Sequence, residues 1–234
     1  MMQGLLYGIR RFPVDLKNSD LFLLFLSIVL AVSAITGVTF LGDRLRLSIK
    51  QQAAVVLAAD VTLRSTAPIG PKYLSIAKEQ ELNTAETISF LSMALHGGNN
   101  VLSSIKTTTP EYPLRGKLKL LDFNGQNIDK PTGSPMSGNV WAEQSLIDRF
   151  NIAKGDSITI GNKRFVVSAV LADFPDRNVG FLAFAPTVIA NIEDLDAMGV
   201  IQPGSRVVYR QLYSGRESQI ESFLDELQDL PAEV

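Results

Sequence analysis

The chain has 234 residues, 46% of them hydrophobic, with a net charge of −2, one histidine and no cysteine. A near-neutral charge offers no polycationic face for a nucleic-acid backbone, and the missing thiols exclude disulfides, cysteine nucleophiles and cysteine-ligated metal. The total hides a split, because residues 1–50 carry six Lys or Arg against three Asp or Glu while the remainder is acidic.

Residues 4–16, GLLYGIRRFPVDL, set Leu5, Ile9 and Phe12 at helical spacing opposite Arg10 and Arg11. That pattern predicts a short amphipathic helix on a membrane surface; a frayed terminus is the plain alternative. Leu21–Gly42 then runs 22 residues without a charge. As a helix it is roughly 33 Å long, the thickness of a bilayer core. Its polar groups are Ser27, Ser33, Thr36 and Thr39, hydroxyls able to bond back to their own helix. Val32-Ser33-Ala34 has the small residues of a signal-peptide cleavage site, but the apolar run continues to Leu41, so an uncleaved anchor fits better. Arg10, Arg11 and Lys17 on one side balance Arg44, Arg46 and Lys50 on the other, so charge does not set orientation.

Asp43–Asp60 lacks Gly and Pro and spaces Leu45, Ile49, Ala53, Val56 and Leu57 three or four apart. It is expected to prolong the anchor as a stalk of roughly 25 Å, or else to be the first core helix of the outer domain. Strand Val61–Ser65 and helix Pro71 to about Leu82 follow. Thr84–Leu95 fits helix or strand. The five residues His96-Gly97-Gly98-Asn99-Asn100 and the following VLSSIKTTT favour a hairpin with a possible bulge.

Residues 110–138 are turn-rich, with a short KLKLL strand and a PTGSPMSG loop that reads as exposed. Beyond them the expected order is strand Val140–Trp141, helix Glu143–Phe150, strand Ser157–Ile160, a Gly161-Asn162 turn and strand Arg164–Leu171. After Pro175-Asp-Arg-Asn come a FLAFA strand, a helical or turn segment through Asp194–Met198, the strand PGSRVVYRQLY and an amphipathic helix Glu217–Leu227.

The chemistry-bearing motifs are absent. There is no phosphate-cradling G-x-x-x-x-G-K-[ST], no G-x-S-x-G elbow and no H-E-x-x-H. A triad would have to be built on His96, in a Gly-Gly turn. The run Glu193-Asp194-Leu195-Asp196 lacks the alternating ligands and central glycine of a calcium loop and reads as a solvated helix face. Trp141, among strand residues, reads as core. No catalytic, cofactor-binding or metal residue is expected, and no cofactor.

Taken in order, DRLRLSIKQQ after the apolar helix, AADVTLRS, TPEYPLRG, VWAEQSLIDRFNIAKGDSITIG and IQPGSRVVYR resemble one family. They look like the first transmembrane helix and extracytoplasmic domain of ABC-transporter permeases of the MacB/FtsX type, most closely the YbbP-like ones. Ala153–Ile160 and Gln202–Arg206 carry most of the likeness. The resemblance implies an α+β fold: a cytoplasmic segment 1–20, a transmembrane helix 21–42, a stalk 43–60, a βαβ porter part (61–110 and 203–234) and a mostly β insertion 111–202. It further implies the inner membrane, a separate cytoplasmic ATPase, a second permease copy, a periplasmic lipid, lipoprotein or enzyme partner, and more membrane helices beyond this N-terminal fragment. The rival classes are a single-span, membrane-anchored binding or adaptor subunit and a secreted enzyme, the latter lacking any clustered acid–base site.

Overall fold

A computed structural model describes residues 19–128, 133–177, 184–202 and 204–228. The expected surface helix of residues 4–16 lies outside them. The chain divides into two compact units, residues 1–51 and 52–234.

Helix α1 covers Ser19–Leu57, 39 residues without interruption. Its stretch Phe22–Arg46 is long and apolar enough to cross a membrane, and none of it is buried. Two of the hydroxyls inside it bond as expected, Ser27 Oγ to the Leu24 carbonyl at 2.8 Å and Thr39 Oγ1 to that of Ile35 at 2.9 Å. Neither donor is therefore left bare in hydrocarbon. The helix stops three residues before the expected Asp60.

The rest is an α+β domain built on strands β1 (Val61–Ser65), β2 (Asn83–His96), β3 (Asn99–Thr108), β4 (Lys119–Leu121), β5 (Asn139–Glu143), β6 (Ser157–Ile160), β7 (Lys163–Asp173), β8 (Thr187–Asn191) and β9 (Val207–Ser214). Helices α2 (Pro71–Glu79), α3 (Gln144–Phe150), α4 (Leu195–Met198) and α5 (Glu217–Gln228) accompany them. The strands form one sheet in the order β1-β9-β2-β3-β8-β5-β7-β4, with β6 joining β2 to β7. Those pairings close a ring, β2-β3-β8-β5-β7-β6-β2. Phe90, Ile105, Leu146, Ile158, Phe165 and Val188 belong to its packed core. Each such side chain contributes about 1.5–3 kcal/mol on leaving water. On the other part, α2 and α5 cover β1 and β9 through Ile76, Tyr213 and Phe223, the last two rings 4.6 Å apart.

The β2–β3 hairpin depends on its Gly-Gly pair. Gly97 and Gly98 have φ of +56° and +83°, the pair of positive angles a two-residue primed turn demands. Pairing then runs from His96–Asn99 to Thr87–Thr108 without the expected bulge.

Three further expectations are corrected. Thr187–Asn191, read within a helical or turn segment, is strand β8, buried along its whole length between β3 and β5. Of FLAFA, the described Phe184 and Ala185 are not strand. The PTGSPMSG loop is only partly exposed. Gly133, Ser134 and Pro135 are buried and Met136 is open.

Candidate functional site at the end of helix α1

Helix α1 ends because Ala58 adopts a left-handed φ of +62°. The Ala59 amide then reaches back to the Ala54 carbonyl at 3.1 Å and the Ala58 amide to that of Val55 at 3.2 Å, a paired closure of the last turn. Glycine usually fills this position, and alanine there costs on the order of 1 kcal/mol. Ala58 and Ala59 are completely buried in a cluster with Trp141, Phe174 and Leu212, as expected for a core tryptophan.

Two loops supply donors to the carbonyls left over. The Arg115 amide, from the loop after β3, donates to the Ala58 carbonyl at 2.9 Å; the Asp176 amide, from the loop after β7, donates to the Val56 carbonyl at 2.9 Å. The loops press together at Gly116, where a Cβ would stand 3.3 Å from Pro175 and 3.4 Å from Val55. Each donor residue also commits its side chain. Arg115 grips Asp60, which in turn accepts from the Gly215 amide at 3.2 Å. The hydrogen bond to Asp60 raises the Arg115 pKa.

Asp176 is the more deeply set of the two. Its φ of +52° is a conformation that aspartate tolerates better than most residues. Oδ1 accepts from Lys106 Nζ at 2.7 Å and from the Tyr112 hydroxyl, and Oδ2 accepts from Arg210 Nη1 at 2.8 Å. Lys106 is 1% exposed and donates again to the Asp176 carbonyl, at 3.2 Å. Its ammonium lies 5.1 Å from the Phe174 ring centre and 5.7 Å from that of Tyr112. Burial lowers the Lys106 pKa, opposed by the Asp176 charge. Burial, reinforced by that charge, holds the Tyr112 hydroxyl well above its ordinary value and keeps it a donor. The cluster is built to hold position: it ties the end of α1 to β3 through Lys106 and to β9 through Arg210.

Beside it, a cleft of about 750 Å³ is lined by Leu82, Glu86, Thr109, Glu111, Leu114 and Arg115 among others. Burial raises the Glu86 carboxyl pKa. On the ring, Leu91, Met93, Leu95 and Leu102 form an exposed apolar strip on one face of the β2–β3 hairpin, with Phe184 exposed nearby over a smaller hollow.

The residues weighed for chemistry make the following contacts. His96 Nδ1 contacts the Ser157 carbonyl at 2.8 Å and its ring stands 5.7 Å from Phe150. Asp194 corrects the solvated-face reading, being 1% exposed and accepting from Ser137 Oγ, the Gly138 amide and Lys163 Nζ. Burial would raise its carboxyl pKa, but these donors outweigh it and hold it below the usual carboxylate value. Among the described residues no group of acidic or histidine side chains is arranged to hold a metal ion. Sequence reasoning misses the Asp176 cluster; its one signal is Lys106, a lone charge inside a strand-type run.

Residues 21–229 match the MacB-like periplasmic core domain. The chain belongs to that family. A curated relative, the uncharacterized ABC transporter permease YbbP of Escherichia coli (strain K12), is 26% identical over 214 residues, which is 92% of this chain and 26% of that protein. The chain thus spans about a quarter of this relative's length. Among solved structures, the periplasmic region of MacB from Actinobacillus actinomycetemcomitans is 14% identical with a TM-score of 0.46, covering 74% of this chain and 85% of its own. The extracellular domain of the noncanonic ABC-type transporter YknZ from Gram-positive bacteria is 10% identical with a TM-score of 0.46, covering 70% and 88%. An exposed apolar helix leading into a MacB-like domain makes this a membrane protein with an extracytoplasmic segment.

Proposed function

We propose that this chain is the N-terminal part of an ABC-transporter permease subunit, in which ATP hydrolysis by a separate cytoplasmic ATPase drives movement of a periplasmic domain that handles lipid, lipoprotein or another extracytoplasmic substrate. The observation that carries it is the unbroken helix Ser19–Leu57, which joins an apolar span to a domain of the MacB-like family. Residues 1–20 are cytoplasmic, 21–42 cross the inner membrane and 43–60 form the stalk. Residues 61–110 and 203–234 make the porter-like part, supported by the neighbouring order β1-β9-β2-β3 and by α2 and α5 packed on β1 and β9; residues 111–202 are the mostly β insertion. The partners are the ATPase, a second permease copy and the bilayer. The apolar strip at Leu91, Met93, Leu95 and Leu102 suits a greasy extracytoplasmic ligand. On this reading the permease itself hydrolyses nothing, and His96→Ala should leave transport nearly intact.

Topology and partnership are tested together in the full-length permease, in which residues 1–234 contribute no native cysteine. Ser134 is buried, so Met136, 76% exposed, is the outer probe. A membrane-impermeant thiol reagent added to intact cells should label Met136→Cys and spare Ser19→Cys, and the permease should co-purify with a nucleotide-binding subunit. The reverse labelling, or a permease purified without an ATPase at full transport activity, refutes the reading.

A further inference from the structure

We propose that Asp176 is a positioning residue, the joint through which displacement of the end of helix α1 reaches strands β3 and β9. The proposal rests on the coupling reading above. It goes beyond it by naming where motion leaves the helix.

The geometry supplies two attachments on one residue. Through its amide, Asp176 holds the Val56 carbonyl, one residue before the helix's last. Through its carboxylate it holds Lys106 near the end of β3 and Arg210 in the middle of β9, strands that do not pair with each other. The chain's own route from helix to sheet turns at left-handed Ala58 and reaches β9 directly, through the Asp60 amide on the Tyr213 carbonyl at 3.0 Å and the pairing that begins at Val61. A push on the helix end could be absorbed at that turn, where Ala58 and Ala59 are held by packing and backbone bonds. The Asp176 bridge bypasses it. Charge-assisted bonds out of water are short and directional, and Lys106 and Tyr112 are buried around the carboxylate. Structural stability alone does not explain an ionic choice here, since apolar groups of similar volume commonly serve a buried position equally well.

The test is hydrogen exchange on the full-length permease with its ATPase in lipid nanodiscs, with and without ATP and vanadate. In the wild-type protein, trapping nucleotide should change exchange about tenfold both at the helix end, residues 52–57, and along Val207–Ser214. In the double variant Lys106→Met with Asp176→Asn, the amide bond to Val56 and the positive φ are kept while the ionic tie is lost. Its unfolding midpoint should stay close to wild type. The response at 52–57 should persist and that at Val207–Ser214 should fall below about twofold. A folded double variant with an undiminished response at Val207–Ser214 overturns the joint and leaves the coupling reading standing. Should the double variant not fold, Arg210→Gln, at a partly exposed position, decides in the same way: loss at β9 supports the joint and a full response refutes it. No nucleotide response at 52–57 in the wild-type protein overturns the coupling reading, and the joint with it.

Discussion

Arg115 holds Asp60 with two donors at once, Nε to Oδ1 at 2.9 Å and Nη2 to Oδ2 at 2.6 Å, so the residue after the helix's buried stop is fastened to a loop 55 positions further along. The pair is partly exposed, at 42% and 23%, which caps its worth at about 1 kcal/mol. Arg115→Ala should therefore lower stability by about that much in urea unfolding. Asp60→Ala should cost about 2 kcal/mol, because the Gly215 amide and the Arg115 guanidinium both lose their acceptor. Equal effects would mean that the Gly215 bond adds nothing.

Lys106→Ala removes one partner of a buried ion pair and leaves Asp176 with Arg210 and Tyr112. A loss of about 3 kcal/mol is expected, the low end for a broken buried pair because a cation remains. Thermal unfolding measures it. A loss below about 1 kcal/mol would show that Arg210 alone satisfies the carboxylate.

Gly161 turns β6 into β7 at φ +57°, and a Cβ on it would stand 2.1 Å from the Met198 carbonyl oxygen. The obstacle is backbone, which cannot rotate aside. Gly161→Ala should destabilise by at least about 3 kcal/mol, whereas Gly155→Ala, also at positive φ but with open space around it, should cost only about 1 kcal/mol. Matching losses would show that the clash is relieved at no cost.

The carboxyl of Asp194 titrates lower in the folded chain than the ordinary 3.8, so the unfolded chain takes up its proton first as pH falls. Its stabilisation is present above about pH 4 and disappears below it, as pH drops through the folded value. Asp194→Asn should make the wild-type and variant stability curves converge at low pH and separate above pH 4. Parallel curves across that range would remove Asp194 from the acid response.

Rigidity of α1 is testable through Gln51, inside the helix. Proline there removes a backbone bond and costs about 3 kcal/mol locally, while alanine keeps the helix. In the full permease, Gln51→Pro should leave expression and outer-domain folding intact and abolish transport, and Gln51→Ala should be nearly silent. Full activity in Gln51→Pro would favour an anchored binding subunit over a lever.

Much of this fold is legible in the sequence because it is local. The uncharged run of α1, the Gly97-Gly98 turn and the β6–β7 hairpin each declare themselves within one continuous stretch of chain. Strand β8 does not, since Thr187–Asn191 is buried on both faces and so loses the alternation that marks a strand. The stop of α1 is hidden by an alanine where glycine is usual. Nothing local to Pro175-Asp176-Arg177 marks its aspartate, and only the fold reveals that partners 34 and 70 residues away bury it.

Strand β1 finds its only described neighbour in β9, where Val61 faces Tyr213 about 150 residues later. Ribosomes add roughly 5–20 residues per second, so β1 waits about 8–30 s for its partner to be made. Throughout that interval the strand nearest the anchoring helix has an unpaired edge, and the seat for α2 and α5 is unfinished. The β1 end of the sheet can therefore form only after synthesis has passed β9, however early the ring strands pair.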